Sequence, residues 1–308
     1  EMAKKGIAVV GSINIDMVFS LPRLPVTGET VSGASFAAHP GGKGANQAVA
    51  AARLEVPTVM IGCVGDDSWG QFLLSGLQGE GIDCAHVAQV PGSSGCAGII
   101  VAAGGDNLIA VATGANALLS PGRVEGAGDA IAQSKALMTQ LEIPLETVMT
   151  ALKLAKEAGV ITILDPAPAQ ALPPELLALV DYLTPNAHEA SSLTGIDVHC
   201  WNTAAQAARK LRNQGVNTVI VTMGKLGAFF SGPAGEVRIA APRVATVDAT
   251  AAGDAFNGAL TAALIQGIQP DIAADIAAAA GALAVAKAGA QPSLPTLAEL
   301  GKAVSLPW

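Results

Sequence analysis

The stretch Asp248, Ala249, Thr250, Ala251, Ala252, Gly253, Asp254 places a carboxylate at the head of a helical pattern. Ala255, Phe256, Ala259, Leu260, Ala263 and Leu264 follow at helical spacing. The first turn of a helix leaves backbone N–H groups without partners. The positive end of the helix dipole lies at the same place, so such a terminus binds anions. A carboxylate there repels a bound phosphate, yet it is well placed to take a proton from a hydroxyl that attacks phosphorus. The plainer alternative is that Asp254 only stabilises the helix start, as acidic residues commonly do.

Other residues bear on that choice. Asn14 and Asp16 stand at i and i+2, so on an extended strand both face one side and can grip neighbouring hydroxyls. An Asx turn would explain the same pair. Gly41, Gly42, Lys43, Gly44, Ala45, Asn46 and Gln47 lead into an Ala-rich helix over 45–54. They are not a P-loop, which needs Ser or Thr after the Lys. Their glycines allow backbone to approach a ligand closely. Asn186 with Glu189 three residues on reads as a helix N-cap with a reciprocal Glu, and such a helix start can also face a metal–phosphate complex.

Composition narrows the function classes. Hydrophobic residues are 51% of 308 and aromatics 3%, so a large core must be packed with Ala, Val, Leu and Ile. The net charge of −8 and the lack of a basic stripe exclude nucleic acid as a partner. No apolar run approaches the roughly 20 residues of a membrane span. Ile276 to Ala286 reads instead as a buried helix. No secretion leader is visible at the N-terminus, and Cys63, Cys84, Cys96 and Cys200 lack metal or disulfide spacing, so a reducing cytoplasm is expected.

The elements that must position these residues can be read in order. Ile7 to Gly11 is a buried strand, and 15–19 alternates as a second. Residues 31–38 form an extended segment, 58–64 a strand, and 69–77 a helix. Residues 96–101 and 108–111 make a hairpin across Gly104 to Asn107. Strands at 136–141, 160–164, 179–183 and 216–221 alternate with helices after Pro144 and over 203–213, which means a parallel sheet with helices on both faces. Ligands in such sheets bind beyond the carboxyl ends of the strands. Glu142, Asp165, Asn186 and Thr222 all fall there. No Gly-x-Gly-x-x-Gly follows the first strand, so a dinucleotide fold is not indicated.

Taken together, Gly11 to Asp16, Gly41 to Ala48, Asn186 with Glu189, and Asp248 to Asp254 resemble the ribokinase family of ATP-dependent sugar kinases, in order and nearly end to end. The resemblance implies an α/β chain with a three-layer αβα ribokinase-like fold, a mainly parallel central sheet and a small β-sheet lid. It implies a single domain over 1–308, with lid strands from about 13–38 and 96–111, and a homodimer formed through the lid. Asp254 matches the family's catalytic base, and Ala251, Ala252 and Gly253 its anion hole. Asn14, Asp16, Gly42, Lys43, Asn46 and Glu142 fall where the family holds its sugar. Asn186 and Glu189 fall where Mg²⁺ and the ATP phosphates are arranged, the metal through water. Thr222, Gly224, Gly227 and Gly253 match the nucleotide side. Asp248, Thr250, Ala284, Lys287, Gly289 and Ser293 correspond to a K⁺ site.

The implied reaction carries the ATP γ-phosphoryl group to the 5-hydroxyl of D-ribose, with lid closure excluding water. Asn14 points to ribose, because deoxyribose-preferring relatives tend to be apolar there. An apolar side chain would leave the 2-hydroxyl unsatisfied, at about 1–3 kcal/mol. Ala249 and Ala278 depart from the pattern, the first where close relatives carry Thr and the second where an adenine-facing polar residue is frequent. The rival readings are a kinase for deoxyribose, another sugar or a nucleoside, and a sugar or nucleotide sensor without chemistry.

Overall fold

The computed structural model describes residues 4–33, 35–104 and 106–308. Among the described residues thirteen strands build two sheets. The strands are β1 (Ile7–Val10), β2 (Asn14–Leu21), β3 (Ser35–Gly41), β4 (Thr58–Gly65), β5 (Asp83–Val90), β6 (Gly95–Ala102) and β7 (Asn107–Ala112), followed by β8 (Ala136–Thr139), β9 (Ile161–Leu164), β10 (Tyr182–Leu183), β11 (Thr218–Thr222), β12 (Ala228–Gly232) and β13 (Gly235–Ile239). The large sheet has nine strands in the order β13-β12-β11-β10-β9-β8-β1-β4-β5. It is parallel except where β12 pairs antiparallel with β11 and β13. The small sheet has the order β3-β2-β6-β7.

Strand β1 shows why helices cover both faces of the large sheet. Its residues are buried on both sides, as parallel strands are. Ile7 and Val9 enter one apolar cluster, with the helices Lys43–Arg53, Ala252–Ile265 and Pro270–Val285. Ala8 and Val10 enter the other, with Leu145–Glu157 and Trp201–Asn213. The few aromatics are replaced by alanines that let helices approach closely. At Gly258 an added Cβ would lie 2.5 Å from the Ala50 Cβ, so the Ala252–Ile265 and Lys43–Arg53 helices touch there almost backbone to backbone.

Several boundaries differ from the reading of the sequence. The extended segment expected over 31–38 forms a strand only from Ser35 and continues to Gly41. Pro40 is tolerated within it because β3 is an edge strand of the small sheet, where a missing N–H breaks no ladder. The strand expected over 136–141 ends at Thr139, and the one over 179–183 shrinks to Tyr182–Leu183. Strands β5, β12 and β13 had no counterpart in that reading. The Asp83–Val90 stretch mixes polar and small residues without clean alternation, and β12–β13 is held by antiparallel pairing on the sheet edge rather than by its own pattern. Among the described residues no helix is long and apolar enough to cross a membrane.

Candidate active site

The Ala252–Ile265 helix starts from a left-handed residue. Its N-cap, Ala251, has φ 59 and ψ 11, a conformation that costs a non-glycine residue on the order of 1–2 kcal/mol. Ala255 donates to the Ala251 carbonyl at 2.9 Å, and Ala252 reaches the Ala249 carbonyl at 3.3 Å. The N–H groups of Ala251, Gly253 and Asp254 meet no acceptor among the described residues. The first helical turn therefore presents free donors at the positive end of the dipole.

Two different spaces meet at this turn. Ala252 and Gly253 line a cleft of about 780 Å³, together with Thr222, Gly224, Gly227, Phe256, Ala278 and Gly281. That volume is in the range of a nucleotide-sized ligand site. Lys225 and Arg243 add positive charge to its lining. Asp254 faces the other way. Its carboxylate accepts from Asn46 Nδ2 at 3.0 Å and from Gln47 Nε2 at 3.1 Å, and it is buried.

The Lys43–Arg53 helix that carries those amides is seated by the glycine run. Gly42 is its N-cap at φ 88, and a Cβ there would lie 2.7 Å from the Asn14 nitrogen. A Cβ on Gly44 would press on the Gly11–Ser12 backbone, and one on Gly41 would meet the Asp16 carboxylate at 2.2 Å. At these three glycines the space a Cβ would take is filled by neighbouring backbone and by the Asp16 carboxylate. Glu142 Oε2 then ties the pieces together, accepting from Ser12 Oγ at 2.5 Å and from the Lys43 N–H at 3.0 Å.

Charge is concentrated here. Burial raises the Asp16 carboxyl to about 6, with the charges of Glu142 and Asp254 adding to it. Burial likewise raises Asp254, opposed by the Lys43 charge and by the hydrogen bonds from Asn46 and Gln47. Asp165, at the end of β9, is pushed to about 8, chiefly by burial and against the pull of Lys43. It accepts a single side-chain bond, from Gln47 Nε2 at 2.9 Å. Burial opposes the charge of Lys43, but Asp165, Asp254, Glu142 and Glu189 outweigh it and hold the ammonium firmly protonated. One cation thus serves four carboxyl groups, and its pull on Asp165 does not offset the cost of burying that charge.

The remaining residues sort into two groups. Asn186 caps the Ala187–Thr194 helix in a full capping box: its side chain accepts from Glu189 N at 2.8 Å, and Glu189 accepts from Asn186 N at 2.8 Å. The other Glu189 oxygen takes the Asn186 amide at 2.8 Å, so both carboxylate oxygens are already engaged. Asn186 also bridges to Thr222, joining two strand ends. Around the entry to the Ala252–Ile265 helix, Asp248 accepts from Thr250 N at 2.9 Å and from Gly289 N at 2.9 Å. Val247 donates to the Val285 carbonyl at 2.8 Å, and Ser293 Oγ to the Ala290 carbonyl at 2.7 Å. Lys287 points instead to Glu299, at 2.6 Å. Asp248 thus joins Thr250 to Gly289, while Ser293 closes its own turn. Ala284 lies in the last turn of the Pro270–Val285 helix with its carbonyl accepting from Lys287 N at 3.1 Å, and the Lys287 side chain turns to the C-terminal helix.

In the sequence Gln47 has a place in the glycine run but no role, and Gln140 and Asn116 have neither. Gln140 Nε2 donates to Gln47 Oε1 at 2.7 Å, which orients the Gln47 amide toward Asp165 and Asp254. Gln140 lies two residues before Glu142, beyond the carboxyl end of β8, so its position was the available signal. Asn116 gave none, because its role is set by a turn far away in sequence.

The chain is similar to known carbohydrate kinases in sequence and in fold. The profile of the pfkB family of carbohydrate kinases matches residues 4–297. A ribokinase of Haemophilus influenzae is 43% identical over 96% of this chain and 97% of its own. A deoxyribokinase of Salmonella typhi is 37% identical over 97% of this chain and 99% of its own. Among solved structures, Arabidopsis thaliana ribokinase complexed with ribose and ATP superposes with a TM-score of 0.91 at 32% identity, covering 99% of this chain and all of that one.

Proposed function

We propose, from the premise that this chain belongs to the pfkB family of carbohydrate kinases and is an ATP-dependent sugar kinase, that it transfers the ATP γ-phosphoryl group to the 5-hydroxyl of D-ribose. The observation that carries the reading is the division of labour within one helical turn. Gly253 lines the nucleotide-sized cleft, and the next residue, Asp254, is held by Asn46 and Gln47 on the opposite side. Asp254 takes the proton from the sugar hydroxyl as its oxygen attacks phosphorus. The free N–H groups at Ala251 and Gly253 face the charge that gathers on the transferred group. Positioning and electrostatics do most of the work in phosphoryl transfer.

Asn14, Asp16, Gly42, Lys43, Asn46 and Glu142 hold the sugar. The Arabidopsis complex with ribose and ATP supports that acceptor. The Salmonella deoxyribokinase keeps a second acceptor in view; the Asn14 amide favours a sugar with a 2-hydroxyl. Mg²⁺ bound with ATP would supply positive charge against the phosphates. Asn186 and Glu189 would reach it through water, which fits two Glu189 oxygens already engaged in the capping box. The Asp248–Gly289 region, with Thr250, Ala284 and Ser293, suits a K⁺ ion held mostly by carbonyl oxygens, where it would stiffen the entry to the helix. Phe19, Phe36, Leu108, Ile109 and Val111 leave exposed apolar surface on the small sheet, which supports its use as a dimer contact.

The test is a panel of pentoses, hexoses and nucleosides with ATP and Mg²⁺, with the product located by phosphorus NMR. Ribose is expected to give the highest kcat/KM and a 5-phosphate. Preference for 2-deoxyribose or a nucleoside would reject the ribose assignment.

A further inference from the structure

We infer that Asn116 is a positioning residue that fixes the polarity of Asn14 and thereby makes the sugar site select for an acceptor hydroxyl at carbon 2. The inference rests on the ribose reading above and adds the device that enforces it.

Asn116 sits in the short turn Gly114–Leu118, which follows β7 and is more than a hundred positions from Asn14 in the chain. The turn is held at φ 48 by Gly114 and by Ala115 N donating to the Ser93 carbonyl at 2.9 Å. The Asn116 side chain is buried and meets the backbone of Ile13 at both ends. Its Oδ1 accepts from the Ile13 N–H at 2.9 Å, and its Nδ2 lies 3.3 Å from the Ile13 carbonyl. A backbone N–H can only donate and a backbone carbonyl can only accept. The orientation of the Asn116 amide is therefore dictated by main chain, without the ambiguity that amides usually carry.

The rest follows by elimination. Asn116 Nδ2 also reaches Asn14 Oδ1 at 2.6 Å. Asn14 must turn its oxygen toward Asn116, which leaves its Nδ2 as the end directed elsewhere. That nitrogen has no acceptor among the described residues, although Asn14 is only 4% exposed. Asn14 and Asp16 share a face of β2, so the free donor stands beside a carboxylate. One sugar hydroxyl can satisfy both, accepting from Asn14 and donating to Asp16. A methylene in its place leaves the donor unpaired, which sites of this kind reject strongly. The space for the amide pair is kept by Gly95: a Cβ there would lie 2.1 Å from Asn116 Nδ2 and 2.3 Å from Asn14 Oδ1.

The test compares kcat/KM for D-ribose and 2-deoxy-D-ribose in the parent, N116D and N116A. Asn116→Asp keeps an acceptor for the Ile13 N–H but removes the amide donor that holds Asn14. Asn116→Ala removes both and guards against failure of the first variant to fold; ADP affinity and thermal unfolding confirm that each is native. The ribose-to-deoxyribose ratio is expected to fall about tenfold or more in each variant, through loss of ribose rather than general loss of turnover. A parent that prefers ribose together with a folded variant whose ratio is unchanged overturns the inference alone. A parent with no preference for ribose overturns the acceptor reading beneath it.

Discussion

Gly258 approaches Ala50 so closely that a Cβ on the glycine would stand 2.5 Å from the alanine Cβ, and one turn earlier on the same two helices Asn46 donates to Asp254. Residues four apart share a helix face. The bare contact at 258 and the hydrogen bond at 254 are thus successive rungs of one helix pair. The spacing of the pair sets where the proposed base points.

Replacement of Gly258 by Ala should therefore act on both stability and catalysis. Overpacking costs about 1–3 kcal/mol, and separating the helices lengthens the Asn46–Asp254 bond. A lower melting temperature is expected together with a reduced kcat and little change in nucleotide affinity. A variant that loses stability but keeps the parent kcat would show that helix spacing does not set the base.

Asp254→Asn should lower turnover by about 10²–10⁴-fold, because an amide cannot take the proton from the sugar hydroxyl. Its burial between Asn46 and Gln47 predicts that the cleft beside Gly253 is unaffected. Calorimetry should find ADP bound as in the parent. A variant that still phosphorylates at a comparable rate removes Asp254 from the mechanism.

Asp16 has its pKa raised to about 6 by burial and by the charges of Glu142 and Asp254. Ionised, it accepts from sugar hydroxyls through both oxygens with its full charge; protonated, it loses that charge and turns one oxygen into a donor. The kcat/KM for sugar should consequently fall below about pH 6, approaching tenfold per pH unit, and protonation of Asp254 acts in the same direction. The KM for ATP should stay level, provided Mg²⁺ is saturating. A flat sugar profile down to pH 5 contradicts the assignment.

Asp165, pushed to about 8 by burial, binds a proton in the folded state that it releases near 3.8 when unfolded. The folded state therefore holds more protons between these values, and stability falls as pH rises through that window. Asp165→Asn leaves an oxygen to accept from Gln47 but removes the titration. Its melting temperature should gain on the parent at pH 8 relative to pH 5. An equal difference at both values would mean that Asp165 is ionised throughout.

Potassium is expected to raise kcat several-fold over sodium, because the Asp248–Gly289 region borders the turn that carries the free donors. Asp248→Ala should abolish the difference between the two salts. Identical rates for the parent in sodium-only and potassium buffers would count against a cation at this site.

The sequence by itself determined the layered architecture and the identity of the residues at the strand ends. Ile7–Val10 and the later apolar strands are buried on both faces, and that pattern is local. Likewise the Asn186–Glu189 capping box and the carboxylate at the head of the Ala252–Ile265 helix are legible within a few residues, because caps and helix starts are made from neighbours. What only the tertiary structure decided is which side chains meet. Gln47 bridges Asp165 and Asp254, and Asn116 orients Asn14, across more than a hundred positions of chain in each case. The short β10 and the edge hairpin β12–β13 belong to the same category, since their strands exist through pairing rather than through their own periodicity. Hydrogen bonds between distant amides and carboxylates are set by how helices and sheets pack, and residue spacing carries no record of that packing.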